Sequence, residues 1–141
     1  PEACVKNSSL FQLCIRVEDP QMLRRRHRDF SMEALLREVQ AMALSSSRAE
    51  DRVAMDVSRG EVHVLLIPGE TDIREFVRRL DNYLRGKSFF TGEAAMDLGF
   101  RYALAHFPKH GDTLDSLRRE IDRQLLSGGM EIEEIPMKGA A

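Results

Sequence analysis

The sequence predicts an α/β domain of the layered α+β kind: a mainly antiparallel sheet flanked by helices, with a β-hairpin at its centre. Three observations carry this. Short β-rich runs alternate with longer runs of helical periodicity, which sets helices on a sheet rather than helix on helix. Two of the β-rich runs are separated only by Ser58-Arg59-Gly60, the mark of a hairpin. The chain is 141 residues long, enough for a single domain (1–141) with a real core.

Taken in order, Leu10 to Val17 is apolar with two polar interruptions and reads as a buried strand. Pro20 stands where it can start a short helix. Ser31 is the expected N-cap of a longer helix, in which Leu35, Leu36, Val39, Met42 and Ala43 recur at helical spacing before the Ser45-Ser46-Ser47 breaker. The hairpin follows, with strands Arg52 to Val57 and Glu61 to Ile67, and Pro68-Gly69 ends it. Thr71 or Asp72 caps the next helix, whose apolar face is Ile73, Phe76, Val77, Leu80 and Leu84 and whose natural stop is Gly86. Leu98 to Phe107 reads as another strand. Asp112 or Thr113 opens a last helix through Leu114, Leu117, Ile121 and Leu125, closed by Gly128-Gly129. A short strand from Met130 to Ile135 is the final expectation, within a tail of residues 127–141.

Composition excludes several functions. With 43% hydrophobic and 31% charged residues the chain reads as an ordinary globular domain. Its net charge of −2 argues against a general nucleic-acid binder, because phosphate-backbone recognition needs a basic excess. The local run Arg24, Arg25, Arg26 and Arg28 reads as a solvated surface. Cys4 and Cys14 fit no zinc spacing, and Cys14, inside an apolar run, reads as a buried thiol in a reducing cytoplasm. His27, His63, His106 and His110 show no ligand spacing, and no nucleophile stands at a recognisable spacing from a base. No metal site and no cofactor are therefore expected. No apolar stretch approaches the roughly 20 residues of a membrane span, and no signal peptide is visible. The start at Pro1 and the end in Lys138-Gly139-Ala140-Ala141 suggest a fragment of a longer protein.

The element order and several motifs resemble the GGDEF (diguanylate cyclase) family. That family places an Arg-x-x-Asp motif five residues before its Gly-Gly-Asp/Glu-Glu-Phe turn. Here Arg48-Ala49-Glu50-Asp51 is followed, five residues later, by Val57-Ser58-Arg59-Gly60-Glu61. Pro68-Gly69-Glu70-Thr71, the strand Arg101 to Pro108 and the helix Leu117 to Leu125 with Ile121-Asp122 are similar to the family's later segments. The resemblance covers about residues 10–126.

The departures from the family point away from catalysis. A cyclase holds magnesium against a triphosphate with carboxylates, since hard divalent ions prefer oxygen. The first-strand metal ligand of the family falls at Arg16, a charge reversal, although Glu18 and Glu61 stand nearby. Ser58-Arg59 occupy places where small glycines let the backbone approach phosphates, while Gly60 is left to serve the turn. The guanine-reading Asn-Asp pair falls at Arg24-Arg25, and the Gly-His after it at Arg28-Asp29. The expectation is that no catalytic residues remain and the chain is no enzyme.

The Arg-x-x-Asp motif is the family's inhibitory site for cyclic di-GMP, and the resemblance implies that Arg48 and Asp51 bind this ligand. An arginine fork matches O6 and N7 of guanine and can stack on a second base, and a carboxylate accepts from N1–H and N2–H. The site often draws one more arginine from the helix after the hairpin, which falls at Arg79, with Arg78 as the alternative. As a surface pair at a helix end, Arg48 and Asp51 would contribute only about 0.3 kcal/mol. The implied function is a cyclic di-GMP receptor, PelD-like or BcsE-like, regulating attached domains or protein partners of a secretion or signalling complex in exopolysaccharide export and biofilm formation. A ligand-dependent dimer and a cytoplasmic place, with the parent protein attached to the inner membrane, belong to the same expectation. The alternatives are a nucleotide-independent interaction scaffold and a GTP-binding regulator built on the remains of the active-site cleft.

Overall fold

The computed structural model describes residues 10–18, 21–22, 25, 31–46, 52–66, 72–86, 89–91, 94–96, 99–107, 109, 111, 113 and 114–135. Among the described residues the continuous strands and α-helices are, in chain order, β1 (Leu10–Val17), α1 (Met32–Ser46), β2 (Arg52–Asp56), β3 (Glu61–Leu66), α2 (Ile73–Gly86), β4 (Phe89–Thr91), β5 (Ala94–Met96), β6 (Phe100–Phe107) and α3 (Leu114–Leu126). Four strands form one sheet in the order β2-β3-β1-β6, with every neighbouring pair antiparallel. This is the α+β layered architecture that the sequence predicts. Gln21, Met22 and Arg25 carry helical backbone before α1, where Pro20 is expected to start a helix. Arg24, Arg26, Arg28, Thr71 and Asp112 lie outside the described residues.

Alternation along the strands divides the side chains between two layers. Leu13, Ile15 and Val17 of β1, Val62, Val64 and Leu66 of β3, and Tyr102 and Leu104 of β6 pack with Leu35, Leu36 and Val39 of α1 and Phe76, Val77 and Leu80 of α2. On the opposite face Cys14, Ala103 and Ala105 meet Leu117, Ile121 and Leu125 of α3. The small residues there let a single helix approach the sheet closely.

The caps follow the expected chemistry. Ser31 Oγ accepts from the Ala34 amide at 3.1 Å, and Asp72 Oδ1 from the Glu75 amide at 3.2 Å. Thr113 and Ser116 form a reciprocal capping box at the start of α3. Gly60 has a φ of 68°, the left-handed conformation the hairpin turn requires. A Cβ there would also lie 3.2 Å from Met32 Cε, so the position is doubly restricted.

Two elements differ from expectation. Met130 to Ile135 is not a strand: Ile132–Glu134 forms a 3-10 turn, and Ile135 is fully buried in the core of α1 and α2. The tail passes β6 on the way, and the Met130 amide donates to Tyr102 O at 2.7 Å. The second difference is the small β4-β5 hairpin, which no periodicity announced because each strand has only three residues.

The outer edge of β6 is closed by side-chain chemistry. Gln124 Oε1 accepts from the Leu104 amide and Gln124 Nε2 donates to the Leu104 carbonyl, both at 2.7 Å. Its amide does what a neighbouring strand would do. Nearby, Tyr102 OH donates to the buried Asp81 at 2.7 Å, tying β6 to α2. Tyr102→Phe should cost about 2 kcal/mol, since a hydrogen bond to a buried carboxylate exceeds a neutral one. Urea denaturation of the two proteins measures it.

Candidate functional site

Strand register assembles a polar cluster on the α3 side of the sheet. Arg16 lies opposite Glu61 and Cys14 opposite His63 across β1 and β3. Beyond β3, Asp56 lies opposite Glu61 and Ala54 opposite His63 on β2. One turn into α3, Arg118 follows the buried Leu117 and reaches the same place.

Glu61 is the centre, and its side chain is fully buried. Arg16 donates to Oε2 through Nε at 2.9 Å and Nη2 at 2.5 Å. Arg118 donates from Nη1 to Oε1 at 2.8 Å and from Nη2 to Oε2 at 3.1 Å. His63 Nε2 lies 2.9 Å from Oε1, and Gln12 Nε2 lies 3.0 Å from His63 Nδ1. The assignment that satisfies both contacts has Gln12 donating to Nδ1, with the imidazole proton on Nε2 facing Glu61. Burial alone would push the Glu61 carboxyl up, but the hydrogen bonds from His63, Arg118 and Arg16 outweigh it and hold the group far below the usual carboxylate range. Arg118 also pairs with Asp122 at 2.8 Å, and Arg59 of the hairpin turn stands 3.9 Å from that carboxylate.

Cys14 Sγ, a Glu61 oxygen and a His63 nitrogen lie within 4.8 Å of one another, a donor set that could surround an ion. The surroundings do not fit a cation. Two guanidiniums already occupy the carboxylate, and burial pushes the Cys14 thiol well above its ordinary range, against the thiolate a metal needs. A magnesium ion fits no better, because Arg16 and Arg118 place positive charge on the oxygen ligand it would require. Glu18 is turned to Arg101, 3.8 Å away, rather than to Glu61's cluster.

Of the residues expected to bind a ligand, Arg48 and Asp51 lie outside the described residues. Arg78 and Arg79 are both on α2 and both about half exposed, at 3.8 Å and 3.9 Å from the same Glu75 carboxylate. The sequence places Arg16 and Glu61 near each other but does not announce Gln12, His63 and Arg118 as their partners. His63, like the other histidines, has no ligand spacing in the sequence, because its neighbours Gln12 and Cys14 are 51 and 49 residues away in the chain. The available signal was strand alternation: Gln12, Cys14 and Arg16 must share a face, as must Glu61 and His63.

No protein-family model matches the chain, and no curated protein matches it. Solved structures do. A sensory box/GGDEF family protein from Caulobacter crescentus is 22% identical, over 89% of this chain and 81% of that one, with a TM-score of 0.73. The GGDEF domain of YfiN (TpbB) from Pseudomonas aeruginosa is 17% identical, over 95% and 82%, with a TM-score of 0.75. The diguanylate cyclase SiaD from Pseudomonas aeruginosa, solved in complex with its activator SiaC, is 17% identical, over 89% of this chain and 48% of that one, with a TM-score of 0.73. At these identities the likeness is one of fold: the chain has the fold of GGDEF domains. Among the described residues no helix is long and apolar enough to cross a membrane.

Proposed function

We propose that this GGDEF-fold domain is a catalytically silent receptor for cyclic di-GMP, which it reads through Arg48 and Asp51 with Arg79 or Arg78 and passes on to attached domains or protein partners. The observation that carries the silent half is the capture of Glu61 by Arg16 and Arg118. A carboxylate with both oxygens held by guanidiniums has little left to offer a metal ion, and phosphoryl transfer without that ion lacks its charge stabilisation.

The receptor half is supported by residue chemistry. Arg78 and Arg79 are exposed and share one distant carboxylate, and such surface pairs contribute little. A guanine edge or a ligand phosphate can replace Glu75 at small cost. The Arg48-x-x-Asp51 pattern supplies the complementary acceptor.

Isothermal calorimetry tests the reading. Wild-type protein should bind cyclic di-GMP in the micromolar range or tighter, and Arg48→Ala or Asp51→Ala should weaken binding at least about tenfold with an unchanged circular dichroism spectrum. Incubation with GTP and magnesium should yield no cyclic product. Product formation would overturn the silent half. No binding by wild-type protein at high micromolar ligand would overturn the receptor half and leave an interaction scaffold.

A further inference from the structure

The two edges of the sheet are treated differently. β6 is closed at Tyr102 by the Met130 amide and at Leu104 by the Gln124 side chain. At the other end β2 is the terminal strand, and among the described residues no further strand joins its outer side. Open strand edges template further pairing unless something blocks them.

The sequence of β2 is suited to one partner in particular. Arg52-Val53-Ala54-Met55-Asp56 is charge-complementary to its own reverse: cation, apolar, alanine, apolar, anion. We propose that β2 pairs antiparallel with β2 of a second copy of this chain, on a two-fold axis through Ala54, joining the two sheets into one. In that register each Arg52 faces the other copy's Asp56, each Val53 faces Met55, and Ala54 faces its own equivalent. Faces match as well as charges. Val53 and Met55 pack on the α1–α2 side of the sheet. Alternation then puts Arg52, Ala54 and Asp56 on the α3 side in both copies.

Electrostatics favours this arrangement over an arbitrary strand. Asp56 has a like charge beside it, Glu61 on β3; its Oδ1 accepts from Ser58 Oγ at 2.8 Å and from the Arg59 amide at 3.2 Å, and the Arg59 guanidinium stands 3.6 Å from Oδ2. A second copy's Arg52 would add a cation on its outer side, and opposite charges directly across an antiparallel pair are stabilising. A parallel alignment in register would instead set Arg52 beside Arg52 and Asp56 beside Asp56. The hand of the pairing follows from the charges. A five-residue edge is short, so the association is weak and concentration-dependent. It needs no nucleotide and is separate from the receptor reading.

Sedimentation velocity over a wide range of protein concentration, without cyclic di-GMP, tests it. The wild-type chain should shift from monomer to dimer as concentration rises. Ala54→Lys sets two ammonium groups against each other on the axis and should raise the dissociation constant by at least about tenfold, while its melting temperature stays near that of the wild type. Ala54→Cys in a Cys4→Ser background should cross-link under mild oxidation, and Ser58→Cys at the hairpin tip should not. A protein that remains monomeric throughout, or cross-links equally at both positions, overturns the proposal.

Discussion

Glu61→Gln is expected to destabilise the domain by about 3 kcal/mol, lowering the melting temperature by roughly 10 °C. The amide keeps the shape of the side chain and removes only its charge. That charge is what Arg16 and Arg118 share, and their side chains are only 32% and 25% exposed. Without it, two partly buried guanidiniums face each other across a neutral group, and breaking a buried pair costs more than forming it contributes. Arg16→Met added to Glu61→Gln should recover part of the loss by removing one of the stranded cations. A double-mutant cycle on denaturation free energies measures that coupling.

The same carboxylate makes stability depend on pH. Its folded-state pKa is depressed, so the unfolded chain binds the proton more tightly than the native one. The contribution of Glu61 is therefore complete above the ordinary glutamate value, about 4.3, and declines as pH falls below it. Denaturant midpoints measured from pH 7 to pH 3 should fall for the wild type below about pH 5 and change less for Glu61→Gln. Equal slopes in the two proteins would show that other carboxylates carry the acid sensitivity.

How much of this could be read from the sequence depends on the range of the interaction. The large elements were legible because their signals are local. An apolar run marked β1, a β-rich run after a short turn marked β3, alternation marked β6, helical spacing marked α1, α2 and α3, and Ser31, Asp72, Thr113 and Gly60 supplied caps and turn. Arg16 drew notice through its place in the first strand. Arg118 did not, because nothing within α3 says that its guanidinium bridges to a residue 57 positions earlier. Pairing of β1 with β3 had first to put Arg16, Glu61 and His63 side by side. The β4-β5 hairpin was missed for a different reason: three-residue strands are too short to display a period.

The tail shows the same limit from the other side, and it yields the second large effect. Ile135→Ala is expected to cost about 3 kcal/mol, a value typical of core isoleucine truncation. Met130, Ile132 and Ile135 alternate with acidic residues around 131–134, a pattern that suits a strand. The sheet edge that such a strand would join is already held at Leu104 by Gln124. The chain therefore makes one backbone bond to Tyr102, turns through Ile132–Glu134, and inserts Ile135 among the residues of α1 and α2. Arg74 at the start of α2 fixes the insertion, donating from Nε to the Ile135 carbonyl at 2.7 Å and from Nη2 to the Glu133 carbonyl at 2.5 Å. If the burial of Ile135 provides most of the anchoring, Arg74→Ala should cost only about 1 kcal/mol, because part of its contact is solvated. Leu126→Ala serves as the comparison. That leucine is 89% exposed at the end of α3, and its truncation should change stability by no more than about 0.5 kcal/mol. Urea unfolding of the three variants ranks them, and a loss for Ile135→Ala as small as that for Leu126→Ala would mean that the tail only rests on the domain.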